Sequence, residues 1–216
     1  MSTPNPNPFA HGRPPSASRS GPPWEQPLPL VGRYIQTVRL VLGHPSAFYA
    51  AMRREGGVGA PFLFALTGMA VGSIVTVVYQ TIFIVGVAMA ANQTELLPVQ
   101  LTASLGWAVA LVPLQVVFLF VSAGIMHMGL KMVGATTLSY ETTLRVVAYG
   151  AGSVALWQLV PLFGAFVGAL WGIVVDIIGL KRAHETTGGR ATFAGLLPPV
   201  FGGCLVGIGG LILVLA

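Results

Sequence analysis

The chain has 216 residues, 54% of them hydrophobic and only 8% Asp, Glu, Lys or Arg, where a soluble domain carries about 25%. Eleven Lys and Arg against six Asp and Glu give a net charge of +5, but these basic residues flank apolar tracts and form no stripe, which argues against nucleic acid as the partner. Mean hydropathy is +0.79, and four long stretches, 56–94, 96–130, 146–175 and 191–216, hold no charged residue. About 18 uncharged apolar residues can cross a bilayer as a helix, so a polytopic membrane protein is predicted.

Residues 1–30 hold nine prolines among Ser, Asn and Gly. Such a segment cannot bury enough apolar surface to fold and is predicted to be a disordered, solvated tail. It lacks the apolar core of a signal peptide. Its PPWEQPLPL run has the composition of a polyproline ligand, although a plain tail is the better expectation. Residues 31–55 should form interfacial amphipathic helices. Val31, Tyr34, Ile35, Val38, Val41 and Leu42 take one face of the first, while Arg33, Gln36, Thr37 and Arg39 take the other. Pro45 ends that helix through its effect on His44, and Ser46 can cap a second, short one.

The membrane domain, 61–216, follows. Spans are predicted over about 61–91 and 101–130, with a kink at Pro113. The tract between Arg145 and Lys181 contains one charge, Asp176, and has Pro161 near its middle. As one helix it would be about 50 Å long, too long for a hydrocarbon core of about 30 Å. Two spans, 141–160 and 162–180, fit better, and a last one covers 193–215. With five spans and the N-terminus inside, every Lys and Arg falls on the cytoplasmic side and Glu95 is the one charge outside. The predicted fold is therefore an all-α membrane protein with five transmembrane helices, its N-terminus cytoplasmic and its C-terminus extracytoplasmic.

Ionisable groups at membrane depth are costly and so are candidate functional residues. His127 and Lys131 lie one turn apart at the end of the second span. Glu141 and Arg145 form an i, i+4 pair at the start of the third. Asp176 is near the end of the fourth, with Lys181, Arg182 and His184 beyond it. Five-span parity brings this polar cluster to one depth, the cytoplasmic end. It reads either as wet charges pinning helix ends or as a cytoplasm-facing cavity with Asp176 neutralised by Arg145 or His127. No metal-ligand spacing and no catalytic motif occurs, so neither a metal, a cofactor nor enzymatic activity is expected. Lone Cys204 permits no intrachain disulfide and reads as a small buried hydrophobe. Gly164, Gly168 and Gly172 repeat down one face of the fourth span, as do Gly68 with Gly72 and Gly203 with Gly207. Such faces suit close helix packing within the chain, self-association or a partner helix.

Two passages resemble the Yip family (Ypt/Rab-interacting proteins), especially its prokaryotic members. The first is HPSAFYAAMRREGGVGAPFLFALTG. The second is ETTLRVVAYGAGSVALWQLVPLFGAFVGALWGIVVDIIGLKRAHETTGGRA, with its thread of TLRVVAYG, VP, a Trp-containing span, GLKRAHE and GRA. The resemblance implies a cytoplasmic N-terminal region and five membrane helices. Eukaryotic members are linked to trafficking, membrane shaping and Rab-type GTPases, but the DLYGP-like segment is absent here, which removes the basis for a GTPase partner. The expected function is a non-enzymatic, membrane-organising or scaffold role in a prokaryotic cytoplasmic membrane. Glu141, Arg145, Tyr149, Asp176 and His184 would form its cytoplasmic face. A small transporter or channel with a polar cavity around Asp176 and His127 is the alternative. The lipid bilayer is the implied partner, alongside a protein partner or self-association through the glycine faces.

Overall fold

A computed structural model describes residues 20–215, with side chains to residue 204; residues 1–19 of the tail expected over 1–30 lie outside the described residues. Every regular element described is helical: α1 Leu30–Gly43, α2 Pro45–Ala51, α3 Gly59–Ala90, α4 Leu97–Met132, α5 Tyr140–Val154, α6 Gly164–Ala183 and α7 Gly188–Leu215. Single 3-10 turns stand at Pro23–Glu25, Thr94–Leu96 and Ala155–Leu159. α1 stops where Pro45 forces His44 out of helical geometry (φ −136°, ψ 51°), and Pro45 then opens α2 from its first turn.

Among the described residues, three helical stretches are long and apolar enough to cross a membrane: Gly59–Ala90, Thr94–Met132 and Gly164–Ala183. α3 and α4 pack as an antiparallel pair, and much of their surface stays apolar and open at Ile74, Ile82, Phe83, Val99, Leu105 and Val109. An apolar patch of that extent needs a hydrocarbon surround. The protein is integral to the membrane and contacts its lipid.

The buried core lies toward one end. It is built from Val38 and Val41 of α1, Phe48 and Tyr49 of α2, Phe64 and Met69 of α3, and Leu119 to Leu130 of α4. Val175 and Leu180 of α6 and Ala191 and Ala194 of α7 complete it. α5 runs through this core with an unbroken run of buried residues from Thr142 to Gly150. A helix covered on all sides needs close neighbours, and glycines supply them. A side chain at Gly68 would strike the backbone of Gly152, and one at Gly152 would meet Phe64 at 2.7 Å.

Several expectations are corrected. The third predicted span, 141–160, is α-helical only to Val154 and then tightens to 3-10, because Pro161 cannot continue it and Leu162 turns back at φ +66°. The fourth begins at Gly164 and runs on to Ala183, and the last begins at Gly188, five residues before Phe193. On α1 the faces differ from the periodicity: Thr37 is fully buried while Val31 and Ile35 are 67% and 48% exposed. Thr37 can be buried because its hydroxyl donates to Arg33 O at 2.8 Å and accepts the Trp24 N–H at 2.9 Å. Within α6, Gly164 and Gly168 pack against Trp157 of the same chain, and Gly172 sits near Val154, so that stripe is taken up internally. Gly203 has open space around it and Cys204 is exposed on α7, not buried.

Candidate functional site

Arg145 is 1% exposed and is the largest fully buried side chain described. A buried guanidinium must be compensated, and here each of its three nitrogens has a partner. Nε donates to Arg53 O at 2.9 Å, Nη1 to Gly57 O at 2.6 Å, and Nη2 to a Glu25 carboxylate oxygen. Glu141, one turn before it on α5, lies 3.8 Å from Nη1 and accepts the Gly57 N–H at 2.7 Å. The loop between α2 and α3 is thereby clamped by both charges. Gly56 and Gly57 adopt φ of +129° and +91°, which only glycine takes without strain, so that Gly57 offers its carbonyl to Arg145 and its N–H to Glu141. Thr142 adds a bond to Arg54 O at 3.1 Å, and Arg54 in turn reaches Ala183 O at 2.7 Å and pairs with Glu185.

Glu25 comes from the Pro-rich segment expected to be solvated through residue 30. From Gly21 to Gln26 that expectation fails. Pro23–Glu25 form a 3-10 turn whose tryptophan is 6% exposed. The Trp24 indole N–H donates to Ala60 O at 2.6 Å, its ring meets Phe64 and Tyr34 edge-on at 5.4 and 6.2 Å, and Arg33 lies 4.6 Å over it. Glu25 also accepts the Tyr149 hydroxyl at 2.7 Å. One large aromatic and one carboxylate with a buried cation to meet supply what the other residues of the segment cannot.

Asp176 stands apart from this cluster. Its Oδ1 is buried with no hydrogen-bond partner, and among the described residues no ion pair reaches it. The expected neutralisation by Arg145 or His127 does not occur, since Arg145 is spent on Glu25 and the loop carbonyls, and His127 on Thr143. Asp176 instead points at the space above Gly150, where a Cβ would sit 2.6 Å from Oδ1. The nearby Tyr49 donates to Val146 O at 3.2 Å. Burial above all, then the neighbouring Asp176 and Tyr149, hold the Tyr49 phenol well above its ordinary pKa, so it stays neutral.

A second polar thread joins α4, α5 and the turn after α6. His127 Nδ1 lies 2.9 Å from Thr143 Oγ1, which lies 3.0 Å from His184 Nε2, and His184 Nδ1 lies 2.7 Å from Thr136 Oγ1. Thr143 has one hydroxyl proton, so one imidazole accepts from it and the other donates to it. Burial, then His127 and Arg54, lower the His184 pKa to about 4, so the ring is neutral at physiological pH.

The structure thus divides the residues picked from sequence. Glu141, Arg145 and Tyr149 meet in one clamp; His127 and His184 meet through Thr143; Asp176 is alone and Lys131 is exposed on α4. Sequence reasoning missed Glu25, Trp24, Tyr49 and Thr143. The Trp-Glu pair was a legible signal for the first two: an aromatic next to an acid inside a Pro-rich segment that otherwise lacks both in adjacency. Thr143 and Tyr49 carried none.

A family model described as the Yip1 domain matches residues 39–211. No curated protein and no solved structure matches the chain.

Proposed function

Because this chain belongs to the Yip1 domain family, we propose that it is a non-enzymatic protein of a prokaryotic cytoplasmic membrane that acts as a membrane-organising scaffold through its cytoplasmic face. The observation that carries the reading is Arg145: a fully buried cation whose three nitrogens each bond the chain's own loop or N-terminal segment. Charged groups used in this way build a platform out of α5, the N-terminal segment and the α2–α3 loop; they do not line a passage. The test is crosslinking in native membrane, with photoreactive residues at Arg39 or Lys181 on this face and at Phe83 on the far half of α3. A reproducible adduct from the first two and not from Phe83 is the expected result.

The reading uses five spans with the N-terminus inside. α5 and its 3-10 extension together rise about 32 Å, enough for a core of about 30 Å. All eleven Lys and Arg then lie on the cytoplasmic side. A cysteine placed at Phe163 should react with an impermeant thiol reagent only from outside; reaction from the cytoplasmic side would sink this topology. The transporter reading keeps one observation in its favour, the unpartnered Asp176 Oδ1. If Asp176→Asn leaves the fold intact but abolishes a substrate-dependent flux in liposomes, the scaffold reading fails.

A further inference from the structure

We propose that the pocket lined by Arg145, Tyr149, Phe64 and Thr37 is a receptor for a short peptide of a partner protein that carries tryptophan followed directly by glutamate in a 3-10 turn, and that residues 21–26 of this chain are its tethered occupant. The proposal rests on the scaffold reading of this face and names the kind of ligand the face takes. All ligand atoms come from one short continuous segment, while the receptor comes from α1, α3, α5 and the α2–α3 loop. The lining side chains are also held by contacts outside the segment. Arg145 is fixed by Arg53 O and Gly57 O, Tyr149 packs against Phe48 and Phe64 with ring centroids at 5.3 and 5.2 Å, and Thr37 is anchored to Arg33 O. None of these contacts needs the segment to be in place.

What the segment contributes is what a bound linear peptide contributes. Trp24 offers a backbone N–H to Thr37 and an indole N–H to Ala60 O, and its ring fills the box of Phe64, Tyr34 and Arg33. Glu25 brings one carboxylate to a guanidinium and a phenol that both donate to the same oxygen. A neutral amide there would leave the buried charge of Arg145 with Glu141 alone, 3.8 Å away, so the site selects for carboxylate. Pro22, Pro23, Pro27 and Pro29 stiffen the segment, which lowers the entropy lost on docking, as in other proline-rich recognition peptides. Tethering gives the internal copy an effective concentration on the order of millimolar, so an external peptide competes only when it is abundant or when the tether's own contacts are weakened.

The probe is a fluorescent peptide with this chain's residues 20–29, titrated against the full chain in detergent micelles. The full-length Trp24→Ala/Glu25→Gln chain should bind it at least about tenfold more tightly than the unaltered chain, and changing the peptide's glutamate to glutamine should cost about tenfold or more. Equal binding to both chains, or indifference to the glutamate, overturns the proposal. A second measurement does not depend on the altered chain folding. With Cys204→Ser and a fluorophore on Ser20→Cys, excess peptide should lower the label's anisotropy as the tethered segment leaves, and an unchanged anisotropy at millimolar peptide is an overturning result. Neither measurement bears on whether the face crosslinks to a partner, so failure here leaves the scaffold reading to be judged by its own test.

Discussion

Replacing Glu25 by Ala removes the carboxylate from the most buried cation described. Breaking a buried ion pair costs about 3–5 kcal/mol because the surviving charge is left uncompensated. Here Arg145 keeps two carbonyls, at 2.9 and 2.6 Å, and Glu141 remains 3.8 Å away, so a loss at or below the lower end, about 2–3 kcal/mol, is expected. The Tyr149 hydroxyl also loses its acceptor, adding about 1 kcal/mol unless water enters. Water can enter only if the segment leaves, so the loss should appear first as local opening of residues 21–28. Chymotrypsin cleaving after Trp24 reads that opening. At about 1.4 kcal/mol per factor of ten, these losses of about 3–4 kcal/mol together should raise the opened population, and with it the cleavage rate, about 100- to 700-fold. A rise of less than about threefold, with an unchanged unfolding midpoint in mixed micelles, would refute the assignment of this pair as the latch.

Gly150→Ala puts a Cβ 2.6 Å from Asp176 Oδ1 and 3.5 Å from the Tyr49 hydroxyl, and overpacking of this kind should cost about 1–3 kcal/mol in a denaturation midpoint, while Gly86→Ala, with open space around it, should cost nothing. Gly57→Ala has room for its Cβ but not the backbone freedom at φ +91°, so it should lose about 1 kcal/mol or more, against no loss for Gly59→Ala. His184 has its folded pKa lowered to about 4 from 6.5. The unfolded chain therefore binds the extra proton between those values. The stability contributed by the neutral ring is complete above pH 6.5 and declines as pH falls toward 4, by about 3 kcal/mol in all. A pH series of unfolding midpoints should show that slope, and His184→Gln should flatten it.

The membrane class, the run of helices and the pairing of Glu141 with Arg145 were all legible in the order of residues. Each depends on neighbours within a turn or on a tract's length, and both are written along the chain. The expected faces of α1 were only half right. Periodicity grouped Thr37 with the solvent side, but burial there was decided by Trp24, thirteen residues away, whose N–H satisfies the threonine hydroxyl. Residues 21–26 of the Pro-rich segment were misread in the same way, since composition cannot state that a buried guanidinium more than a hundred residues later is waiting for Glu25.

The polar cluster marks the division most clearly. Charge counting placed His127, Glu141, Arg145, Asp176 and His184 near one depth, because burying an ion in hydrocarbon is costly enough to constrain where charges stand in sequence. Which of them touch was decided by the tertiary structure alone. A carboxylate joins whichever cation shares its side of a helix within about 3–4 Å, and that distance depends on rotations and crossings that no local pattern encodes. So Arg145 took Glu25 and not Asp176, His127 took Thr143, and Asp176 was left facing Gly150 with its oxygen unpaired.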